Sequence, residues 1–127
     1  MNISAAAKAS GLSTKTVRYY ADIDLVPEAT RTDAGYRSYD DASIRKLVFI
    51  KRAREFGFSI EECRSLLNLY QNEQRSSAEV KTLAQKRLRE IEQKQRELQS
   101  LKDALAHLVA ACNGDDHPDC PIIDYLS

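Results

Sequence analysis

Apolar residues recur along most of this chain at three- and four-residue intervals, the period of helices that bury one face, and they alternate over only one short stretch. In "NISAAAKASGLSTKTVRYY", Ile3, Ala6 and Ala7 share a face, Gly11 stands where a helix ends in the left-handed conformation, and Ser13 is placed to cap a second helix. Val17 and Tyr20 of that second helix point back to the first, which is helix-turn-helix spacing. "TRTDAGYRSYDD" predicts a small hairpin, residues 30–32 and 36–39 alternating around a turn at Asp33, Ala34 and Gly35. A hairpin after a helix-turn-helix is a wing.

"DDASIRKLVFIKRAREFG" opens on acids, carries Ile44, Leu47 and Val48 on one stripe, and closes at Gly57. "SIEECRSLLNLY" sets Ser59 and Glu62 in capping-box register and puts Cys63, Leu66, Leu67 and Tyr70 on one apolar face, so Cys63 is read as a small core residue rather than a ligand. A segment without Gly or Pro then runs from about Ser77 to Ala110, with Ser76 and Glu79 again in capping-box register. Ala84, Ile91, Leu98 and Leu105 recur at heptads, while the companion positions Leu88, Gln95 and Lys102 turn polar and Leu101 and Leu108 take over. So narrow a seam on a long charged helix predicts a two-fold helix pair between protomers.

At 127 residues, 43% hydrophobic and 30% charged, the chain has room for one small domain with an extension, mainly α, and not for a large enclosed substrate pocket. Its net charge is zero, yet residues 1–54 carry ten bases against six acids, residues 55–110 nine of each, and residues 111–127 four acids and no base. A polyanion therefore meets the N-terminal part first. Lys15 and Arg18 lie on one face of the second predicted helix, away from Val17, which suits either a major groove or plain solvent. Arg31, Tyr36 and Arg37 give the hairpin groups suited to phosphate oxygens, which tilts the reading to double-stranded DNA.

No stretch reaches the roughly 20 apolar residues that cross a bilayer, and "MNISAAAKAS" has no basic region before an apolar core, so no membrane contact and a cytoplasmic location are expected. Three cysteines, an odd number, are expected to be reduced. Two of them, Cys112 and Cys120, stand with seven residues between them in "ACNGDDHPDCPI".

The order of elements, with "GLSTKTVRYY", "GYRSYDD", "FIKRAREFGFSIEE" and the loop "CNGDDHPDCP", resembles MerR-family transcription regulators along the whole chain, and among them the copper-efflux regulators of the CueR type. The resemblance implies a winged helix-turn-helix DNA-binding domain with a two-helix connector over 1–70, a linker and long antiparallel dimerisation helix over 71–110, and a metal-binding loop with a short C-terminal helix over 111–127. It implies a homodimer that contacts promoter DNA through Lys15, Arg18, Arg31, Tyr36, Arg37 and Arg54 and acts on RNA polymerase indirectly, through the promoter. Metal binding then distorts an overlong promoter spacer and activates copper export genes.

Thiolates are soft ligands, and two suffice for Cu(I), Ag(I) or Au(I), whereas Zn(II) wants about four donors. Cys112 and Cys120 are the expected metal ligands. The resemblance places Lys81 of the partner protomer nearby, and Ser77, where sensors of divalent ions have Cys, argues for a monovalent ion. His117 could add a nitrogen donor and favour Zn(II). A reversible Cys112–Cys120 disulfide is the redox alternative, although acidic neighbours are expected to raise thiol pKa and slow it. A thiol hydrolase built on these cysteines and His107 or His117 lacks an oxyanion loop and an orienting third group, and no enzyme is expected. A copper chaperone leaves the wing and the heptad helix unexplained. Ala21 and Asp24 depart from the family pattern after "RYY", where an acid and a Gly are usual, and Asp24 is expected to take the left-handed position.

Overall fold

The computed structural model describes residues 1–31 and 37–127, the side chains of residues 30, 31 and 37 excepted. Its elements are α1 (Ile3–Ser10), α2 (Thr14–Asp22), β1 (Thr30–Arg31), β2 (Arg37–Ser38), α3 (Asp41–Glu55), α4 (Ile60–Gln71), α5 (Ser77–Ala111) and α6 (Pro121–Leu126). The chain divides into two compact units, Met1–Arg87 and Leu88–Ser127.

In the first unit each helix starts where a side chain takes up an orphan amide. Asn2 Oδ1 accepts from Ala5 N (2.8 Å), Ser13 Oγ from Thr16 N (3.1 Å), and Asp40 Oδ1 from Ser43 N (2.8 Å). Ser59 and Glu62 form the expected reciprocal capping box. At the start of α5 the Ser76 hydroxyl accepts from Ala78 N at 3.1 Å. Gly11 ends α1 at φ 77°, as its position predicted.

β1 and β2 pair antiparallel, Thr30 opposite Ser38 and Arg31 opposite Arg37. The chain start joins this hairpin: Asn2 bridges Ser38, and Met1 and Tyr39 exchange amine-to-carbonyl and amide-to-carbonyl bonds, both 2.7 Å. The expected turn at Asp33, Ala34 and Gly35 lies outside the described residues.

One core holds the unit together. Val17 of α2, Val26, Tyr39, Leu47 and Ile50 of α3 and Cys63 of α4 are essentially sealed from solvent, with Ala6 and Ala7 of α1 beside them. Each large apolar side chain so buried contributes about 1.5–3 kcal/mol. Cys63 is part of this core, as its place on the apolar face of α4 predicted. Tyr70 lies on the predicted face at the edge of the core: it is 43% exposed, and its ring stacks on Phe49 at a centroid distance of 4.8 Å. The first turns of α5 belong to the same unit, where Val80 and Leu83 pack against the core.

The second unit begins within α5. This helix of 35 residues buries none of its side chains, and Leu98, Leu101, Leu105 and Val109 are each more than half exposed. The 3.2 Å Lys94–Glu97 pair belongs to its charged surface. Cys112 and the loop follow, and Pro121 opens α6 at the first helical position. Among the described residues no helix is long and apolar enough to cross a membrane.

Candidate DNA-binding and metal-binding sites

α2 carries its two predicted DNA contacts on its outer face. Lys15 and Arg18 are exposed while Val17 and Tyr20 are buried, so the helix shows cations outward and packs against α1 inward. At its C-terminal end Asp24 takes the left-handed conformation, φ 58°, and its amide donates to Ala21 O at 3.1 Å. Two further amides, those of Leu25 and Val26, converge on Tyr20 O at 2.9 and 3.1 Å. The remaining carbonyls are held from outside: Arg64 of α4 donates from Nη1 to Asp24 O and from Nη2 to Ile23 O, each at 3.0 Å. A cation at a helix C-terminus is favourable for both charge and hydrogen bonding.

Of the predicted wing residues, Arg31 and Arg37 face each other across the hairpin in backbone register, and Tyr36 lies outside the described residues. Arg54 has an internal partner. Its Nη1 donates to Phe58 O at 2.7 Å, and its charge faces the Tyr20 hydroxyl. Burial pushes the Tyr20 pKa up, and the Arg54 charge partly opposes that rise. This inward bracing was not foreseen from the sequence, and neither was the role of Arg64.

The C-terminal site is built by the end of one helix and the start of another. Cys112 follows α5 directly, its amide donating to Val109 O at 3.2 Å, and Cys120 is the N-cap of α6. The two half-buried sulfurs stand 3.6 Å apart. That is well beyond the roughly 2.05 Å of a disulfide and suits two ligands turned toward one centre. The Cys120 pKa is lowered, first by the Ile123 backbone amide and then by the hydrogen bond with Cys112, against desolvation and the Asp124 charge. The expected upward pull of the acidic loop is present as the Asp124 charge but is outweighed at Cys120.

His117 is turned to its own loop. Its amide donates to Asp115 Oδ1 at 2.9 Å, its Nδ1 lies 3.4 Å from the same oxygen, and its side chain is 79% exposed. Among the described residues no group of three or more His, Cys, Asp and Glu side chains gathers as a metal cage. Ser77 and Lys81 are exposed in the first turns of α5, within the first unit, whereas both thiols belong to the second.

A helix-turn-helix with an outward cationic face, a hairpin beside it and a pair of convergent thiols defines a helix-turn-helix regulator with a soft-ligand site. Residues 1–69 match the MerR HTH family regulatory protein profile, and residues 44–108 match the profile described as MerR, DNA binding. The chain belongs to the MerR family. It is a DNA-binding transcription regulator and not an enzyme, and its family binds promoter DNA as dimers and acts with RNA polymerase.

Its similarity to individual members is continuous. The HTH-type transcriptional regulator HmrR of Rhizobium leguminosarum bv. viciae is 52% identical over all of this chain and 98% of its own length. The heavy metal-dependent transcription regulator 2 of Rhizobium meliloti is 43% identical, over 100% and 86% of the two chains. The HTH-type transcriptional regulator CueR of Salmonella typhimurium is 44% identical, over 100% and 92%. Among solved structures, PbrR691 from Ralstonia metallidurans CH34 in complex with lead(II) superposes with a TM-score of 0.86 at 30% identity, covering 100% of this chain and 99% of that one. The chain is accordingly a metal-responsive type of MerR regulator.

Proposed function

We propose that this protein is a Cu(I)-responsive transcription activator, able also to take Ag(I) or Au(I), which binds a two-fold symmetric promoter operator as a homodimer in the cytoplasm. The observation that carries the reading is the 3.6 Å approach of the Cys112 and Cys120 sulfurs, with no third protein donor gathered among the described residues. Two-coordinate thiolate binding suits a soft monovalent ion and leaves a divalent one under-ligated.

Residues 1–70 act as the DNA-binding domain, residues 71–110 as linker and antiparallel dimerisation helix, and residues 111–127 as the sensing loop and tail. Lys15 and Arg18 address the major groove, and Arg31, Tyr36 and Arg37 hold phosphates from the wing. Arg54 supports that surface. The exposed Leu98, Leu101 and Leu105 pair with their counterparts in the partner. Antiparallel pairing brings the start of one α5, with Ser77 and Lys81, beside the end of the other. Lys81 then offsets the negative charge of the bis-thiolate site, and Ser77 withholds the extra thiolate a divalent ion would use.

The bound ion contributes a link between the two sulfurs. The rest is protein and DNA mechanics: an ordered loop and tail favour one of two dimer states, and the difference in their free energies is spent on bending and untwisting an overlong promoter spacer. The reading is tested by anaerobic titration of the reduced protein against a competing Cu(I) chelator. One Cu(I) per protomer is expected, lost in both Cys112→Ser and Cys120→Ser, and outcompeting Zn(II). Zn(II) preferred and retained in either variant would overturn it.

A redox reading has one observation in its favour. The two free thiols stand 3.6 Å apart, near enough to close into a disulfide when an external oxidant takes up two electrons. A response that requires oxygen and proceeds without metal would select it.

A further inference from the structure

Three hydrogen-bonding side chains converge on one turn in the first unit. Between α3 and α4, residues 56–58 make a tight connection with Gly57 at φ 85°. Arg87 of α5 donates from Nε to Phe56 O at 2.6 Å. Arg54 of α3 donates to Phe58 O at 2.7 Å, and the Cys63 thiol lies 3.8 Å from the same oxygen. The Arg87 guanidinium lies directly over Gly57, where a Cβ would collide with it. Glycine is favoured there by the backbone angle.

Both grips lead somewhere. Beside Arg87, Lys86 pairs with Glu62 at 3.4 Å, so α5 is fastened to the turn and also to the cap of α4. On the other side Arg54 faces Tyr20, which is buried in α2, the helix carrying Lys15 and Arg18. Hydrogen bonds to charged donors are the strong ones, and two of them on alternate carbonyls leave the turn little freedom.

We propose that Arg87 is a positioning residue that, through the turn at residues 56–58 and Arg54, makes the first turns of α5 and the DNA-reading helix α2 move as one body. The inference rests on the metal-activator reading for its physiological use, because Ser77 and Lys81 of those same first turns are the residues assigned there to the partner's metal loop. Without Arg87, a displacement of α5 is absorbed at the turn instead of reaching α2. Rigid elements joined by hydrogen-bonded contacts of this kind are one physical route by which two sites are coupled.

The test uses the full-length dimer and the variants Arg87→Gln and Arg87→Lys. Transcription in vitro from an operator promoter is measured with and without Cu(I), beside Cu(I) stoichiometry and thermal unfolding. The activation ratio is expected to fall about tenfold in Arg87→Gln and to recover in part in Arg87→Lys, with metal stoichiometry unchanged. A ratio within about twofold of wild type overturns the proposal, and so does a loss that merely parallels a lower unfolding temperature. A second measurement needs no metal: a double-mutant cycle of Arg87→Gln with Arg54→Gln on operator affinity. Non-additivity above about twofold is expected, and additive losses overturn the coupling. A wild-type dimer unresponsive to Cu(I) defeats the proposed function instead, and the metal-free cycle still decides the coupling.

Discussion

Arg64 reaches from α4 to the end of α2 and donates to the carbonyl of Asp24, a residue held at φ 58°, and to that of Ile23 before it. A side chain replaces the hydrogen bonds that the helix end cannot make for itself, and it does so where a non-glycine residue sits in the left-handed region. Asp tolerates that region better than most residues but still at a cost. Asp24→Gly is therefore expected to stabilise the protein by about 0.5–1 kcal/mol, read as a higher urea midpoint at unchanged slope.

Arg64→Ala is expected to act in the opposite direction. Its guanidinium is partly exposed, which lowers the value of each bond, and a loss of about 1–2 kcal/mol is expected. Arg64→Lys should recover less than half of it, since one ammonium cannot satisfy two neighbouring carbonyls in the fork geometry of Arg. Urea unfolding of the two variants side by side gives the answer, and equal stability would remove the bidentate clamp from the account.

Acid should weaken the helix caps in a defined window. The Ser59 amide holds the Glu62 carboxyl below its usual range, with Lys86 adding to the effect, and the Ser43 amide does the same for Asp40. For carboxyls depressed in the folded state, the stabilisation is complete above the unfolded pKa and disappears as pH falls through the folded one. Melting temperature should therefore decline as pH drops below about 4.5, and Glu62→Gln, which keeps a cap-compatible amide, should flatten part of that decline. A Glu62→Gln profile parallel to wild type would show that the cap charge is not involved.

The seam of α5 is expected to be an interface. Leu98 and Leu101 are 65% and 66% exposed in the single chain, an arrangement that water disfavours on a helix this long. Leu98→Asp combined with Leu101→Asp should turn the dimer into a monomer in analytical ultracentrifugation. The first unit should keep its near-native fold, because its core contains neither residue.

Lys15 and Arg18 should differ from the wing in what they change. Replacing Arg18 by Ala is expected to cost about 1–3 kcal/mol of operator binding and to relax sequence preference, while Arg37→Gln lowers affinity evenly and reduces the salt slope by about 1. Competition binding on operator and scrambled duplexes over a salt series separates the two.

Much of this architecture was legible from local chemistry. Gly11, Ser13, and Ser59 with Glu62 each act within a few residues of their own position, so their roles could be read from spacing, while the left-handed Asp24 was expected from the family pattern, where a Gly is usual. The buried sides of α1, α2 and α4 followed from three- and four-residue periodicity. Tyr70 lies on the face that periodicity named, but periodicity does not say where the core ends, and its ring stays partly exposed against Phe49. The thiol pair was visible as two cysteines in one loop, but the acid-rich composition around it suggested raised thiol pKa values. A count of charges carries no information about which amide points at which sulfur.

The sequence by itself determined the order and type of the elements, the segregation of positive charge toward the N-terminal part, and the two cysteines of the C-terminal loop. These are set by local propensity, by period and by residue chemistry. Tertiary structure alone decided that Arg64 closes α2, that Arg54 and Arg87 grip the turn at residues 56–58, and that the sulfurs of Cys112 and Cys120 stand 3.6 Å apart. A backbone carbonyl or a sulfur has no sequence signature for its partner. Arg64 and Arg87 reach their carbonyls because packed helices bring distant parts of the chain together, while Arg54 and the thiol pair depend on how the short connections beside them turn.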